Sequence, residues 1–233
     1  MSNINVLKRD GTQEQLNLEK VHKMVEFACE GLAGVSESQV EIQSQLQFCD
    51  GIRSSDIQEI LIRSASDLIS EEHPNYQYVA ARLLLFGLRK AVHGHPEILP
   101  PLSEHIKGCV DKGVYDGTIV NRYSEEEWNR IDSFVDHERD YLFTYAGLRQ
   151  VVDKYLVQDR STGEHYESPQ QMYIMIAATL FANYPTETRL DYVHRYYNAI
   201  SKHKINIPTP IMGGVRTPIR QFASVSYTHL RAH

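Results

Sequence analysis

Apolar residues recur at steps of three and four along the first 93 residues of the chain, and this spacing is typical of amphipathic helices. In front of the first helix, Asp10-Gly11 separates two short extended segments, and this dipeptide favours the two-residue turn of a β-hairpin. Asn17 is placed to cap the first helix, and Ser36 with Gln39 forms a capping box for the second. We therefore predict a hairpin followed by four helices at about 18–32, 36–48, 54–69 and 75–92.

A break rich in proline at residues 94–101 interrupts this pattern and predicts a domain boundary. Beyond it, the spacing predicts further helices near 103–112, after 124, over 169–181 and over 186–201, a second hairpin within 155–166 and a short strand at 205–207. The predicted fold class is mainly α. A four-helix bundle with a small hairpin lid covers residues 1–95, and a second helical region covers 96–224.

Composition narrows the class of protein. The 233 residues are 42% hydrophobic and 23% charged, which is ordinary for a soluble globular protein. No segment approaches the roughly 20 apolar residues that span a bilayer, and the N-terminus lacks a secretory pattern, so we expect a cytoplasmic protein with no membrane contact. The net charge of −6 argues against nucleic acid as a partner.

Cysteine and histidine positions argue against metal chemistry. The three cysteines lie far apart without a CxxC pair, which argues against a zinc ribbon or a redox motif. Cys29 and Cys49 lie in apolar helical contexts, so both are expected to be buried. The eleven histidines show no metal-binding spacing, and we predict no metal site.

Two adjacent cations, Lys8 and Arg9, lie in the predicted hairpin close to the start of the first helix. Cations beside a helix N-terminus can bind phosphate through their charge and through exposed backbone N–H groups. A surface hairpin with solvated charges is the alternative interpretation of this short segment.

A longer set of residues resembles the ATP-cone, the nucleotide-sensing module of ribonucleotide reductases. The matching residues are Lys8-Arg9-Asp10-Gly11, Glu14, Asn17, Lys20, Asp50-Gly51-Ile52 and Arg89-Lys90. The resemblance implies an allosteric pocket for ATP or dATP, accompanied by Mg²⁺ that no protein residue binds directly. It assigns to this pocket Lys8, Arg9, Glu14, Asn17, Lys20, Ser54, Gln58 and Lys90. Val6 is expected either to pack against the base or to be an ordinary core residue of its strand.

The resemblance also implies roles and shows two departures. The cations are expected to contact the triphosphate, and Glu14 and Asn17 the sugar and the adenine edge. Ser54 would add a hydroxyl and backbone N–H groups, although a simple helix cap is its alternative role. Gln58 stands where several family members carry a histidine, and Ser54 where threonine is frequent. Because glutamine cannot become charged, the balance between ATP and dATP binding is expected to differ from that of the family members with a histidine at this position.

The second region resembles the N-terminal helical part of class I ribonucleoside-diphosphate reductase large subunits. Residues 208–218 and 220–224 resemble the beginning of that family's ten-stranded α/β barrel, and 136–140, 154–156, 167–170 and 183–185 also match. In that family, the residues matching Thr209 and Ser224 contact the diphosphate substrate. The resemblance implies radical reduction of ribonucleoside diphosphates, with a small radical-generating subunit, a large-subunit homodimer or higher oligomer, and thioredoxin or glutaredoxin as partners.

The resemblance ends at Ser224, where the family continues with a redox cysteine and this chain has Val225. Residues 226–233 resemble a translated sequencing adaptor, so we predict that 225–233 are foreign to the family. The catalytic cysteines are then expected downstream of a truncation, and the fragment alone is expected to be inactive. A genuine divergent terminus is the alternative.

Two other classes of function remain as alternatives. Nucleotide-sensing transcriptional repressors also carry an ATP-cone, but place it after a four-cysteine zinc ribbon. A helical interaction protein without a ligand would show the same melting temperature with and without ATP. Anaerobic and cobalamin-dependent reductases can also begin with such cones, and the second region favours class I.

Overall fold

The computed structural model describes residues 4–8 and 11–219, and this part of the chain is mainly helical. The backbone contacts divide the chain into two units. The first extends to Glu97 and also includes Asp140–Gln150, and the second consists of Ile98–Arg139 and the residues from Val151 onward. The boundary predicted after residue 95 stays a prediction, since the first unit also takes in a segment some forty residues further along the chain.

The first unit contains a small sheet and four helices, as the hydrophobic spacing predicts. Its elements are β1 (Asn5–Leu7), β2 (Gln13–Gln15), α1 (Leu18–Cys29), α2 (Glu37–Gln45), β3 (Ile52–Arg53), α3 (Ser54–Asp67) and α4 (Tyr76–His93). The strand order is β2-β1-β3, with β1 antiparallel to β2 and parallel to β3. The third strand was not predicted, because two residues are too short to show an alternating pattern.

The helix starts follow local side-chain chemistry. The side chain of Asn17 accepts a hydrogen bond from the Lys20 backbone N–H at 3.1 Å, and that of Ser36 accepts one from Gln39 at 3.4 Å. The predicted Asn17 cap is therefore confirmed. Of the capping box predicted at Ser36 only the first half forms, because the Ser36 N–H donates to the Tyr76 hydroxyl and Gln39 Oε1 accepts from that hydroxyl. At α3, Arg53 is the capping residue and Ser54 the first helical residue, so Ser54 is not a simple cap.

The core of the first unit is centred on α4, which packs against both α1 and α3. Fully buried residues in it are Val25, Leu61, Ala65, Val79 and Leu83. The amphipathic spacing in the sequence is thus the spacing of these buried positions.

The second unit is built around a buried helix. Its elements are α5 (Leu102–Asp111), α6 (Glu125–Asp132), β4 (Gln158–Asp159), β5 (Glu164–His165), α8 (Pro169–Phe181), α9 (Thr186–Ser201) and α10 (Thr209–Gly214). Helix α7 (Tyr145–Lys154) contains the point at which the two units divide. Short 3₁₀ segments cover Val120–Arg122 and His137–Leu142. Along α8, every residue from Pro169 to Ala178 is buried.

The second predicted hairpin is confirmed as β4 and β5, whereas the strand predicted at 205–207 is wrong. Ile205 is 44% exposed, so its alternation with Ile207 does not mark a buried face. The next residue, Pro208, has no N–H to donate to a sheet.

A buried ion pair anchors the end of the described chain within the second unit. Arg216 and Glu167 are both fully buried, and the guanidinium Nε donates to Glu167 Oε2 at 2.8 Å. Tyr115 donates its hydroxyl to the same carboxylate at 2.5 Å, and the Val157 N–H donates to the other oxygen at 2.6 Å. Burial raises the pKa of Tyr115 well above its usual value, so the phenol stays protonated and keeps donating.

Among the described residues, no helix combines the length and apolar character needed to cross a membrane.

A candidate nucleotide-binding site

A cavity of about 430 Å³ lies in the first unit, bounded by the small sheet, α1, α3 and α4. This volume falls in the range of pockets that hold small organic ligands. Its lining consists of Val6, Lys8, Glu14, Leu16, Asn17, Lys20, Val21, Met24, Ser54, Ser55, Ile57, Gln58, Phe86, Gly87 and Lys90.

The small sheet brings the two ends of this lining together. Val6 of β1 lies opposite Glu14 of β2 on one side and Ile52 of β3 on the other. Because β3 runs parallel to β1 and leads directly into α3, the N-terminus of α3 lies beside the residue that follows β1. That arrangement places Lys8 and Ser54 on the same cavity, although they are 46 positions apart.

Asn5 and Asp50 hold the third strand in place. The Asn5 backbone N–H and side-chain amide both donate to Asp50 Oδ1, at 2.8 and 2.9 Å, and the Gly51 N–H donates to the Asn5 carbonyl at 2.9 Å. Gly51 has φ +77°, a backbone conformation that glycine adopts without strain. These N–H groups stabilise the charged carboxylate, and the backbone N–H of Asn5 is the main cause that lowers the pKa of Asp50.

The cavity has an excess of positive charge. Lys8 Nζ lies 2.6 Å from Glu14 Oε2, and Lys20 Nζ lies 4.0 Å from the other Glu14 oxygen. Lys90, in the last turn of α4, lines the same cavity. Three lysines therefore share the cavity with the Glu14 carboxylate. The resulting positive electrostatic potential suits an anionic ligand.

The start of α3 adds backbone donors to this field. Ser54 and Ser55 are its first two residues and both line the cavity. N–H groups in a first helical turn have no partner within the helix and carry partial positive charge. The acidic residue of that turn, Asp56, accepts from Arg53 Nε at 2.8 Å, and this hydrogen bond lowers the pKa of Asp56.

Comparison with known proteins identifies both parts of the chain. The family model for the ATP cone domain matches residues 4–91, and the model for the ribonucleotide reductase all-alpha domain matches residues 141–220. The chain is 55% identical over 219 residues, 94% of its length, to the ribonucleoside-diphosphate reductase subunit alpha of Haemophilus influenzae. It is 54% identical over 95% of its length to ribonucleoside-diphosphate reductase 1 subunit alpha of Escherichia coli, and 50% identical over 95% to the Buchnera aphidicola subunit.

The chain belongs to the ribonucleotide reductase alpha-subunit family. It spans 29% of the length of each of these relatives. The ATP cone match falls within the first unit, which contains the cavity. The all-alpha match begins at residue 141, so its first ten residues belong to the first unit by their contacts.

Most of the predicted pocket residues of the ATP cone line the cavity. These are Lys8, Glu14, Asn17, Lys20, Ser54, Gln58 and Lys90, together with Val6. Arg9 lies outside the described residues. Their assignment to a bound nucleotide stays a prediction.

Several lining residues were missed by the sequence reasoning. Phe86 and Gly87 lie four and three positions before Lys90, which is the spacing of one helix face. The prediction of Lys90 as a pocket residue could therefore have been extended to both of them. Met24 follows Lys20 by four positions on α1 in the same way. Leu16 and Ile57 carry no comparable signal, because apolar residues in such positions are usually core.

Of the two predicted substrate residues of the reductase, one lies in the described part of the chain, and the assignment stays a prediction. Thr209 is the exposed first residue of α10, and Ser224 lies outside the described residues. The predicted foreign tail at 225–233 lies outside them too. A second cavity of about 470 Å³ in the second unit is lined by Pro210, Lys154 and neighbouring residues, without Thr209.

The cysteines differ from the expectation at one position. Cys29 is buried as expected, whereas Cys49 is exposed. Helix α2 ends at Gln45 rather than near 48, so Cys49 lies in the following loop and not on an apolar helix face. Burial raises the pKa of Cys29 to about 11 and that of Cys109 to about 12.

Within residues 4–8 and 11–219, no group of three His, Cys, Asp or Glu side chains is placed to hold a metal ion. At the cavity, the Glu14 carboxylate is paired with Lys8.

Proposed function

We propose that the first unit binds ATP or dATP as an allosteric effector. The observation that carries this proposal is the cavity of about 430 Å³ lined by three lysines and the N-terminus of α3, within the residues that match the ATP cone domain. A triphosphate is the ligand chemistry that such a combination of cations and backbone donors suits.

In the proposed complex, the triphosphate lies between Lys8, Lys90 and the first turn of α3, where Ser54 donates its hydroxyl. Arg9, which follows Lys8 in the sequence, and Lys20 supply further positive charge. Lys8 leaves part of its interaction with Glu14 when it turns to a phosphate. Mg²⁺ would enter with the nucleotide, held by phosphate oxygens rather than by the protein.

The nucleoside occupies the other part of the cavity. Val6, Ile57 and Phe86 supply apolar surface for the base. Glu14 and Asn17 offer oxygen acceptors to the sugar hydroxyls and the adenine amino group, although the Asn17 oxygen also caps α1. Gln58, one helical turn after Ser54, lies at the boundary between the two parts.

The whole protein is proposed to reduce ribonucleoside diphosphates to deoxyribonucleoside diphosphates, in line with the names of its relatives. Its proposed partners are a small radical-generating subunit, a second large subunit or higher oligomer, and thioredoxin or glutaredoxin as reductant. We place it in the cytoplasm. Nucleotide in the cone would then change the equilibrium between active and inactive assemblies, as a coupling between distant sites.

Titration calorimetry on the complete 233-residue chain tests the effector proposal. We expect saturable binding of ATP and dATP and a rise in melting temperature, since a ligand at about 100 times its Kd adds about 2.7 kcal/mol of stability. A folded chain that shows neither heat of binding nor a change in melting temperature would rule the proposal out and favour a ligand-free interaction protein. The complete chain is required because Asp140–Gln150 belongs to the same unit as the cavity.

The proposed reaction needs a separate assay. A full-length alpha subunit that carries this N-terminal sequence is combined with a small subunit and a dithiol reductant, and conversion of a ribonucleoside diphosphate is followed. Deoxyribonucleoside diphosphate is the expected product, and its absence in an assembled complex would refute the assignment.

A further inference from the structure

Gly87 lies in the interior of α4, where glycine has no conformational role. Its φ is not among the positive values recorded in the described chain, so the backbone there is ordinary helix. Glycine in a helix interior costs about 1 kcal/mol relative to alanine. A glycine at this position therefore indicates that something occupies the space of a side chain.

The group in that space is the side chain of Gln58. A Cβ atom at position 87 would lie 3.0 Å from Gln58 Cγ, 3.4 Å from Cδ and 3.6 Å from Nε2. The first of these distances is shorter than ordinary carbon–carbon contact. Gln58 thus lies directly against the backbone of α4 because residue 87 has no side chain.

A hydrogen bond holds Gln58 in this position. Its Nε2 donates to the Leu83 carbonyl at 2.7 Å. Leu83 is four residues before Gly87, so this carbonyl is also the helical acceptor for the Gly87 N–H. The amide nitrogen of Gln58 is therefore bound to the backbone of α4, and its carbonyl oxygen is an acceptor.

Gln58 and Gly87 both line the nucleotide cavity, so the position of one limits the space near the other. We propose that Gly87 is a positioning residue for nucleotide binding: its missing side chain lets Gln58 lie back on α4 and leaves the cavity open to an adenine nucleotide. This inference rests on the proposed effector function. It adds that Gly87 and Gln58 together set the shape of the site.

A methyl group at residue 87 would displace Gln58 by a few tenths of an ångström, away from α4 and toward the cavity. The bond to Leu83 then lengthens, and the amide competes with the ligand for space. We expect Gly87→Ala to weaken ATP binding about three- to tenfold, the equivalent of one neutral hydrogen bond. Helix propensity favours alanine, so the variant should remain folded.

The double variant separates positioning from general packing. In a Gln58→Ala background there is no side chain for residue 87 to displace, so adding Gly87→Ala should change the affinity by less than about twofold. A purely structural role of Gly87 in the packing of α3 on α4 would give the same loss in both backgrounds, which would overturn the inference. If Gly87→Ala alone does not fold, the double variant is still compared with Gln58→Ala.

Gly108 offers a matched control. It lies inside α5, and a Cβ there would meet no other group within 4 Å, its own helix backbone aside. Gly108→Ala should leave ATP affinity unchanged. All variants are measured by titration calorimetry on the complete chain, with melting temperatures recorded.

The outcomes distinguish the inference from the proposed function. If the unmodified chain does not bind ATP or dATP, the effector proposal fails and this inference fails with it. If the unmodified chain binds and Gly87→Ala binds equally well, only the inference is overturned.

Discussion

The guanidinium of Arg89 donates from Nη2 to Asp140 Oδ2 at 2.8 Å, and the two side chains are 5% and 0% exposed. The next residue, Tyr141, has its ring centroid 5.6 Å from the guanidinium carbon of Arg89 and 5.5 Å from that of Arg82. Phe27 meets the same ring edge-on, at 6.0 Å between centroids. The segment that begins at Asp140 is thereby held on α1 and α4 of the first unit.

Replacing Asp140 by asparagine tests how much this ion pair contributes to the free energy of unfolding. The substitution preserves shape but removes the negative charge beside a buried guanidinium, and breaking a buried pair typically costs about 3–5 kcal/mol. We expect Asp140→Asn to lower the free energy of unfolding by about that amount, measured by urea denaturation.

Arg149 provides the control for that experiment, because it belongs to the same segment and pairs with Glu59 at 3.6 Å in an exposed setting. Arg149→Ala is expected to change the free energy of unfolding by less than about 1 kcal/mol. Equal effects of the two substitutions would show that burial of the Arg89 pair is not what matters.

The pairing of Arg89 with Asp140 could not be predicted from the sequence. Arg89 closes the segment that resembles the ATP-cone, and Asp140 belongs to the block that resembles the helical region. Local spacing carries no information about a contact across 51 residues. By contrast, the Asn17 and Ser36 caps depend on atoms three residues away, and both were predictable.

The same distinction applies to the candidate site. The hairpin that brings the strand of Glu14 beside that of Val6 followed from the sequence, but its register did not. A two-residue turn at Asp10-Gly11 would set Leu7 opposite Glu14, whereas Val6 occupies that place. The approach of Gln58 to Gly87 depends on how α3 packs on α4, and the sequence pattern shows only that both helices have apolar faces.

Removing Lys90 should weaken nucleotide binding without affecting the fold. Its side chain lies at the cavity in the last turn of α4 and is exposed, so stability should change little. Loss of a charge-assisted hydrogen bond to phosphate predicts a decrease of about 1.5–3 kcal/mol in binding free energy for Lys90→Ala. The loss should shrink as salt screens the charges, and calorimetry at two ionic strengths measures both effects.

Lys107→Ala is the control for charge alone, since Lys107 is an exposed lysine of α5 in the second unit. It removes the same unit of net charge away from the cavity. A comparable loss of ATP affinity in both variants would assign the effect to the overall field of the protein and not to contact by Lys90.

The thiols should differ sharply in reactivity. The raised pKa values of Cys29, about 11, and Cys109, about 12, leave little thiolate at neutral pH, and both side chains are buried. Cys49 is exposed. With an aromatic disulfide reagent we expect one fast-reacting thiol per native chain and three after denaturation, and Cys49→Ser should remove the fast phase. A fast phase that persists in Cys49→Ser would contradict the burial of the other two.

The contact between α1 and α2 should depend on pH through His22. Its Nδ1 lies 2.6 Å from Glu41 Oε1, and this hydrogen bond is the main cause that raises the pKa of His22 above its ordinary 6.5. The folded state therefore binds the proton more tightly than the unfolded state. The resulting stabilisation is complete below about pH 6.5 and is lost as the pH rises through the folded-state pKa.

Nuclear magnetic resonance titration of the His22 ring should give a raised pKa in the unmodified chain and a value closer to 6.5 in Glu41→Gln, which keeps an acceptor but lacks the charge. Melting temperatures of the two chains should differ at acidic pH and converge at alkaline pH. An unchanged His22 pKa in Glu41→Gln would show that Glu41 is not the cause.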